Sequence, residues 1–113
     1  FEAPTLEFYE KYKNEEDFIC PACSNGYIKV KTISFGQSLD QNMLSIAHRV
    51  SEQAKYFVVM GSSLKVSPAN SFIKVAKANK AKIIILNKDK TPFDDYADIV
   101  INDYLENIYE QIK

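Results

Sequence analysis

The chain has 113 residues, a formal net charge of −1, 46% hydrophobic residues and 26% charged residues. These values are typical of one globular domain, and the lack of a basic excess argues against nucleic-acid or anionic-membrane partners. The longest apolar runs are strand-sized, far below the roughly 20 residues that a membrane-spanning helix needs. Only two cysteines occur, too closely spaced to staple a large fold, which favours a reducing, cytoplasmic setting.

The first half of the chain predicts one strand region and one clear helix. Residues 1–19, which include the mixed-charge run 11–17, predict a loop or a short helix. Alternation and β-branched residues over 27–35 predict one or two strand pieces. After Asp40, a suitable cap, apolar residues at spacings of three and four predict an amphipathic helix to Gln53. Its apolar side comprises Met43, Leu44, Ile46, Ala47 and Val50.

The second half alternates strands and helices. The apolar runs 56–60 and 83–86 predict strands buried on both faces, and 97–101 predicts a third short strand. Pro68 and an apolar stripe begin a helix between the first two strands. This order predicts an α/β fold, a Rossmann-like parallel sheet with helices on both faces. The helical residues expected inside are Phe72, Ile73, Val75 and Ala76, followed by Leu105, Ile108 and Ile112.

A loop of small polar residues follows the first of these strands. In an open parallel sheet, ligands gather at the carboxyl ends of the strands, where loops and helix N-termini present N–H groups to anions. The loop 61–70 offers a glycine, hydroxyls at Ser62 and Ser63, and a helix start, which suits a nucleotide. On local evidence alone, such serines more often serve as caps and turns, and Asn87 more often satisfies loop backbone.

Four segments together carry a family resemblance. Residues 58–69 form an apolar strand followed by Gly-Ser-Ser-Leu, a variable residue, Val, another variable residue and Pro-Ala. Residues 33–39 contain Phe-Gly-Gln, 84–87 end a strand in Asn, and 91–98 contain Thr-Pro-Phe-Asp and Ala-Asp. In order and spacing these segments resemble the sirtuin family of NAD-dependent protein-lysine deacylases, over nearly the whole chain from Cys20 onward.

The resemblance implies NAD as the cofactor. The loop after the first strand would face the ribose and phosphate groups, and the asparagine that ends the second strand would bond the adenosine ribose, with two loop residues beside it. An aspartate near the third strand would close on the adenine. The residues implied for NAD binding are Gly61, Ser62, Ser63, Asn87, Lys88, Asp89 and Asp98.

The resemblance also implies an acylated-lysine protein or peptide as partner, with no direct nucleic acid and no membrane. The peptide would lie as an extra strand between segments 35–37 and 64–66, held by backbone hydrogen bonds. Many family members have Glu where this chain has Gln37, and the amide keeps the hydrogen-bonding reach without the charge. The residues implied for substrate binding are Phe35, Gly36, Gln37, Leu64 and Val66.

Cys20 and Cys23 stand in a Cys-x-x-Cys arrangement before an Asn-Gly turn. A redox pair would need a helix N-terminus to depress a thiol pKa, which a turn followed by a strand does not provide. The resemblance instead implies half of a structural zinc knuckle, and because tetrahedral zinc needs four ligands, we expect the other pair upstream of Phe1. Residues 1–26 are then the remnant of a small zinc-binding module, and residues 27–113 the C-terminal part of the NAD-binding domain.

His48 is the only histidine, and because it falls off the apolar stripe of its helix we expect it at the surface rather than as a general base. The resemblance puts the family's catalytic histidine N-terminal to this chain, so no catalytic residue is assigned, and we expect a fragment that is inactive alone. The implied function is NAD-dependent removal of acetyl or other acyl groups from protein lysines. ADP-ribosyl transfer, NAD hydrolysis and a non-catalytic nucleotide-binding or zinc-ribbon module stay open as alternatives.

Overall fold

A computed structural model of the chain describes residues 1–14 and 18–113. These residues form two compact units, Phe1–Ser38 and Leu39–Lys113. The division falls later in the sequence than the boundary after residue 26 that was predicted for the small module. Residues 15–17, which belong to the mixed-charge run predicted as loop or short helix, lie outside the described residues.

The first unit is built around a short helix with an aromatic side. Helix α1 spans Thr5–Tyr12, within the region predicted as loop or short helix. The ring of Phe8 lies 4.5 Å from the ring of Tyr12 and 5.7 Å from that of Phe18, centroid to centroid. These tilted aromatic contacts pack α1 against the chain that enters the cysteine turn.

The prediction of strand pieces over residues 27–35 is wrong. Tyr27 makes one isolated antiparallel bridge with Ile19, and residues 28–34 form no strand. The Thr32 N–H donates to the Val30 carbonyl at 2.7 Å, a three-residue turn that breaks the extended line. Alternating side chains make a segment suitable for a strand, but a strand also needs a neighbour to satisfy its backbone groups.

The second unit begins with helix α2, Gln41–Gln53, as predicted. The Asp40 carboxylate accepts from the Asn42 N–H at 2.8 Å and from the Met43 N–H at 3.1 Å, which satisfies two of the unpaired donors of the first turn. Only part of the predicted apolar side is covered. Leu44 and Ala47 are half-buried, whereas Met43, Ile46 and Val50 are exposed.

Three parallel strands form the sheet of this unit, in the order β1, β2, β3. The strands span Tyr56–Met60, Lys82–Leu86 and Ile99–Ile101. The chain passes from β1 to β2 through a 3-10 turn, Ala69–Ser71, and helix α3, Phe72–Ala78. After β3 it ends in helix α4, Leu105–Ile112. Because β1 and β2 are parallel and are joined through α3, the structure confirms the α/β class and the Rossmann-like connection.

The core lies between α3 and one face of the sheet. Ile73 of α3 and Ile83 and Ile85 of β2 are fully buried, and Ala76 joins them. Because side chains alternate across a strand, Ile83 and Ile85 share a face with Val59 of β1, the register partner of Ile85. The predicted inner side of α3 is confirmed, with Phe72 and Val75 half-buried at its flanks.

The opposite face of the sheet is largely exposed, so the prediction of a strand buried on both faces is wrong for β1, and β3, predicted as a short buried strand, is exposed at Ile99 and Ile101. A continuous apolar run cannot tell a covered face from an uncovered one. Ile112 of α4, predicted to point inward, is 75% exposed, while Ile108 is buried. No helix in the described part of the chain is long and apolar enough to cross a membrane. The exposed apolar residues of the strands are Tyr56, Val58, Met60, Ile99 and Ile101, at 41% to 68% exposure.

The difference between the two faces gives a test of the core. Replacing fully buried Ile83 by Ala is expected to lower the free energy of unfolding by about 3–4 kcal/mol, because the site loses contacts and retains a cavity. Ile99→Ala, on the exposed face of the neighbouring strand, is the matched control and is expected to cost less than about 1 kcal/mol. Urea unfolding of the chain followed by circular dichroism measures both, and equal losses would contradict this assignment of the core.

Candidate functional site

The carboxyl ends of the three strands meet at one edge, joined by backbone hydrogen bonds. The Gly61 N–H donates to the Leu86 carbonyl at 2.9 Å, and the Asn87 N–H donates to the Ile101 carbonyl at 3.1 Å. The side-chain amide of Asn102 then donates to the Asn87 carbonyl at 3.0 Å. Gly61 and Asn87, selected from the sequence as ligand-binding residues, therefore lie on adjacent strands at the edge where parallel sheets bind ligands.

Gly61 turns the chain at the end of β1 in a way that other residues would oppose. Its φ of +62° lies in the left-handed region, and a Cβ at this position would stand 3.1 Å from Leu105 Cδ1 of α4. Both the backbone angle and the close approach of α4 favour glycine. The turn at Gly61 therefore sets the direction in which the loop continues from the end of β1.

Leu64 anchors the middle of this loop in the core. Its side chain is 8% exposed and belongs to the cluster around Ile83, although its φ of +55° is unusual for leucine. Its N–H donates to Ser62 Oγ at 3.2 Å, and its carbonyl accepts from Asn70 Nδ2 at 3.1 Å. The side chain and both backbone groups of Leu64 are thus engaged within this unit, and they fix the position of its neighbours in the loop.

A cavity of about 250 Å³ lies beside the loop. It is lined by β1 residues 57–59, by loop residues 62–66 and by Ala69 and Asn70. Ser63 and Val66 are exposed and Ser62 is half-buried. The cavity combines apolar walls with hydroxyl donors and acceptors, which is the usual composition of a small-molecule site. Asn87 does not line it and lies at the end of the neighbouring strand.

The segment after β2 forms a second part of the edge. The Asn87 side-chain amide donates to the Asp89 carbonyl at 2.8 Å, closing a turn that contains Lys88. Lys88 Nζ lies 4.8 Å from the centroid of the Tyr104 ring, within cation–π range. Asn102 and Tyr104 were not selected from the sequence, although the carboxyl-end rule applied to β3 would have indicated them.

Asp98 lies at the other end of the sheet, apart from the remaining residues predicted for NAD. Its carboxylate accepts from the Ile83 N–H at 2.8 Å and pairs with Lys77 at 3.2 Å and Lys82 at 3.9 Å. These contacts lie where β2 begins, a full strand length from Asn87. The Ile83 N–H, followed by Lys77, lowers the pKa of Asp98 below its ordinary value. The arrangement accounts for Asp98 as a link between α3 and β2.

The predicted peptide-binding residues are divided between the two units. Phe35, Gly36 and Gln37 belong to the first unit, in a turn where the Ser34 N–H donates to Gln37 Oε1 at 3.2 Å and the Gln37 N–H donates to the Ser34 carbonyl at 3.0 Å. Gly36 has a φ of +82°, and Phe35 is 92% exposed. Leu64 and Val66 belong to the second unit.

The two cysteines occupy a tight turn in the first unit. The Cys20 N–H donates to the Gly26 carbonyl at 2.7 Å, and the Ser24 N–H donates to the Cys20 carbonyl at 2.8 Å. Backbone N–H groups of Asn25 and Gly26 and then the Cys20 thiol lower the pKa of Cys23, which favours the thiolate that binds metal. Within residues 1–14 and 18–113, no group of three or more His, Cys, Asp or Glu residues could hold a metal.

His48 is a surface residue, as predicted. It lies in α2 with its side chain 53% exposed, and its Nδ1 is 3.7 Å from Glu52. It is not among the residues that line the cavity beside loop 61–66. The histidine therefore has no part in the candidate site of this unit.

Comparisons with known proteins agree on one family. Residues 2–68 match the family model described as Sir2 family. The chain is 46% identical over 95 residues to an NAD-dependent protein deacetylase of Shouchella clausii strain KSM-K16, a match that covers 83% of this chain and 38% of that protein. The chain thus spans well under half the length of this relative.

Solved structures give the same result for the fold. Sir2Tm bound to a propionylated peptide is similar with a TM-score of 0.80 at 28% identity, over 95% of this chain and 45% of that chain. A Sir2 complex with a p53 peptide and NAD⁺ is similar with a TM-score of 0.81 at 27% identity, over 97% of this chain and 45% of that chain. Both matches extend over almost all of the present chain.

The ion pairs of Asp98 predict a pH-dependent contribution to stability. Because its pKa is lowered by folding, the stabilisation is complete above the ordinary aspartate pKa of about 3.9 and is lost as the pH falls through the lower pKa of the folded state. Asp98→Asn is therefore expected to lower the melting temperature at pH 7, with a difference from wild type that shrinks below about pH 4.

Thermal melts from pH 7 to pH 2.5 measure this effect. Asp95→Asn, at an exposed aspartate of the neighbouring 3-10 turn Asp94–Tyr96, is the control and is expected to show no such trend. A constant difference between Asp98→Asn and wild type across the whole range would show that the carboxylate charge is not what stabilises the fold.

Proposed function

The chain belongs to the Sir2 family, and we propose that its protein removes acetyl or other acyl groups from protein lysines in an NAD-dependent reaction. The observation that carries this proposal is the edge at which loop 61–66 and Asn87 lie on adjacent strands. The named relatives and the structures with NAD⁺ or acylated peptide support it. Since the chain spans 38% of the first relative, we assign to it only part of the NAD and peptide sites.

For NAD, the proposal assigns contacts along the carboxyl edge. Ser62 and Ser63 face the ribose and phosphate groups, because a hydroxyl can donate one hydrogen bond while its oxygen accepts another. Asn87 binds the adenosine ribose, and its turn contributes Lys88 and Asp89. The lysine also brings a positive charge toward the phosphates. We leave Asp98 out of the NAD site, because its carboxylate is engaged at the opposite end of the sheet.

For the peptide, the proposal assigns the exposed side of the loop. Lys65 and Val66 are exposed next to the anchored Leu64. The Val66 carbonyl accepts from the Asn70 N–H, so the proposal assigns pairing with an extended peptide to the Lys65 backbone and the Val66 N–H, and such pairing tolerates many sequences. Val66 contributes an apolar wall beside the acyl-lysine. The resemblance in sequence alone supports the turn at residues 35–37 as a second contact segment.

The reaction requires groups beyond those described. Bound at this edge, NAD would supply the ribose carbon at which the acyl oxygen displaces nicotinamide. The contribution of this chain is to bind and orient the two substrates, since His48 lies outside the candidate site. We therefore propose that the chain by itself is inactive and that the general base belongs to another part of the protein.

For zinc, we propose that Cys20 and Cys23 supply two thiolates of a structural site. The turn holds both thiols in one short segment, and the backbone N–H groups that lower the pKa of Cys23 also suit a metal-bound thiolate. Because the chain has only these two cysteines, the remaining ligands come from another segment. Bound zinc would order the turn and act on folding rather than on the reaction.

The products identify the reaction. The protein at its full natural length, incubated with an acetyl-lysine peptide and NAD, is expected to yield deacetylated peptide, nicotinamide and O-acetyl-ADP-ribose in equal amounts, measured by mass spectrometry. Asn87→Ala is expected to raise KM for NAD about three- to tenfold through loss of hydrogen bonds to the ribose. The 113-residue chain alone is expected to give no product.

The control for Asn87 is Asn107→Ala, an exposed asparagine of α4, which is expected to leave KM for NAD unchanged. Free ADP-ribose without peptide deacetylation would favour NAD hydrolysis, and ADP-ribose attached to protein would favour ADP-ribosyl transfer. Binding of ADP-ribose without any turnover would favour a non-catalytic nucleotide-binding module. Each of these three outcomes would overturn the deacylase proposal.

Metal analysis tests the zinc proposal separately. The protein at its full natural length is expected to contain about one zinc per chain by inductively coupled plasma mass spectrometry, and Cys20→Ser or Cys23→Ser is expected to remove most of it. Ser24→Ala, within the same turn, is the control and is expected to keep the metal. Unchanged zinc in both cysteine variants, or none in the wild type, would contradict the assignment.

A further inference from the structure

Asn70 makes two hydrogen bonds back onto the loop that precedes it. Its side-chain Nδ2 donates to the Leu64 carbonyl at 3.1 Å, and its backbone N–H donates to the Val66 carbonyl at 3.2 Å. The residue is half-buried in the 3-10 turn that leads into α3. A single residue therefore ties both ends of the segment 64–66 to the start of a packed helix.

The segment is fixed most firmly at Leu64. A leucine with φ near +55° is strained relative to an ordinary conformation, so surrounding contacts must hold it. Three contacts do so, since the side chain is buried, the N–H donates to Ser62 and the carbonyl accepts from Asn70. The Asn70 bond connects the Leu64 backbone to the 3-10 turn that leads into α3.

Holding Leu64 in this way fixes the backbone conformation of Lys65 and Val66. Both are exposed and follow directly after Leu64, so the orientation of the Leu64 carbonyl sets the direction in which their backbone leaves the core. An extended peptide that pairs with this backbone needs it in one conformation before binding, because ordering the loop during binding would reduce the affinity.

We propose that Asn70 is a positioning residue for the acyl-lysine peptide, acting through the Leu64 carbonyl to hold Lys65 and Val66 in the conformation that receives it. This inference rests on the proposed function and adds a determinant of peptide affinity to it. Asn70 lines the cavity beside the loop, but the role assigned to it acts through the Leu64 carbonyl on peptide binding and not through a contact with NAD or the reacting atoms.

If Asn70 only stabilised the fold, its hydrogen bond to Leu64 would have no effect on peptide binding. The chain offers a matched control for this alternative. Asn79, at the end of α3, donates from Nδ2 to the Val75 carbonyl at 2.9 Å and is exposed. The chemistry is identical, a side-chain amide bonded to a backbone carbonyl, but the bond is remote from loop 61–66. Asn70→Asp keeps the shape of the side chain, removes the donor and adds a negative charge, and Asn79→Asp makes the same change at the control site.

The experiment has two readouts. In the full natural-length protein used for the deacylation assay, Asn70→Asp is expected to raise KM for the acetyl-lysine peptide about three- to tenfold, the equivalent of one hydrogen bond. Turnover at saturating peptide and KM for NAD are expected to stay within twofold of wild type. Hydrogen exchange of the Lys65 and Val66 amides is expected to accelerate by a similar factor in Asn70→Asp and to stay unchanged in Asn79→Asp.

The outcomes separate this inference from the function on which it rests. An active wild type in which Asn70→Asp changes KM for the peptide no more than Asn79→Asp overturns the positioning role and leaves the deacylase proposal intact. A parallel fall in turnover and rise in KM for NAD also overturns it, because a general structural defect is then the cause. If the wild type deacylates no peptide, the proposed function fails, and the exchange rates alone decide whether Asn70 holds the loop.

Discussion

The parallel pairing of β1 with β2 is the constraint on which the rest of the second unit depends. Ile83 and Ile85 are fully buried against α3 and fix which face of β2 points inward. Because parallel strands end at the same edge, this pairing also brings Gly61 next to Leu86, with a hydrogen bond of 2.9 Å between them. The candidate site is thus a consequence of the register that buries the core.

The sequence was sufficient where the determinants are local. The apolar runs of β1 and β2, the Asp40 cap and the inner stripe of α3 are each specified within a few residues, and the structure has them where predicted. The sequence was insufficient where contacts with residues distant in the chain determine whether a strand forms or which face is buried. Residues 27–35 have the alternation of a strand but no adjacent strand within the described chain. Similarly, a run of isoleucines does not indicate which face a helix will cover.

The same distinction applies to the candidate site. Gly61 and Asn87 could be selected because each directly follows an apolar strand, and parallel topology puts such positions at one edge. Asp98 was selected because it lies in a recognisable segment, but it precedes its strand, and parallel topology therefore puts it at the opposite edge, where Lys77 pairs with it. Asn102 follows β3, and its contact with Asn87 depends on strand order, which one sequence does not reveal.

Leu64 links the core of this unit to the candidate ligand-binding loop. Its side chain belongs to the same core as Ile83, so the free energy that stabilises the fold also holds a leucine in a left-handed conformation. Polar groups on either side, Ser62 and Asn70, bond its backbone and leave the adjacent exposed residues to face a ligand. A loop anchored in this way is ordered before any ligand arrives, although one face of the sheet beneath it is exposed. The proposed binding of a ligand at this edge therefore depends on the core between α3 and the covered face of the sheet, because that core holds Leu64 in place.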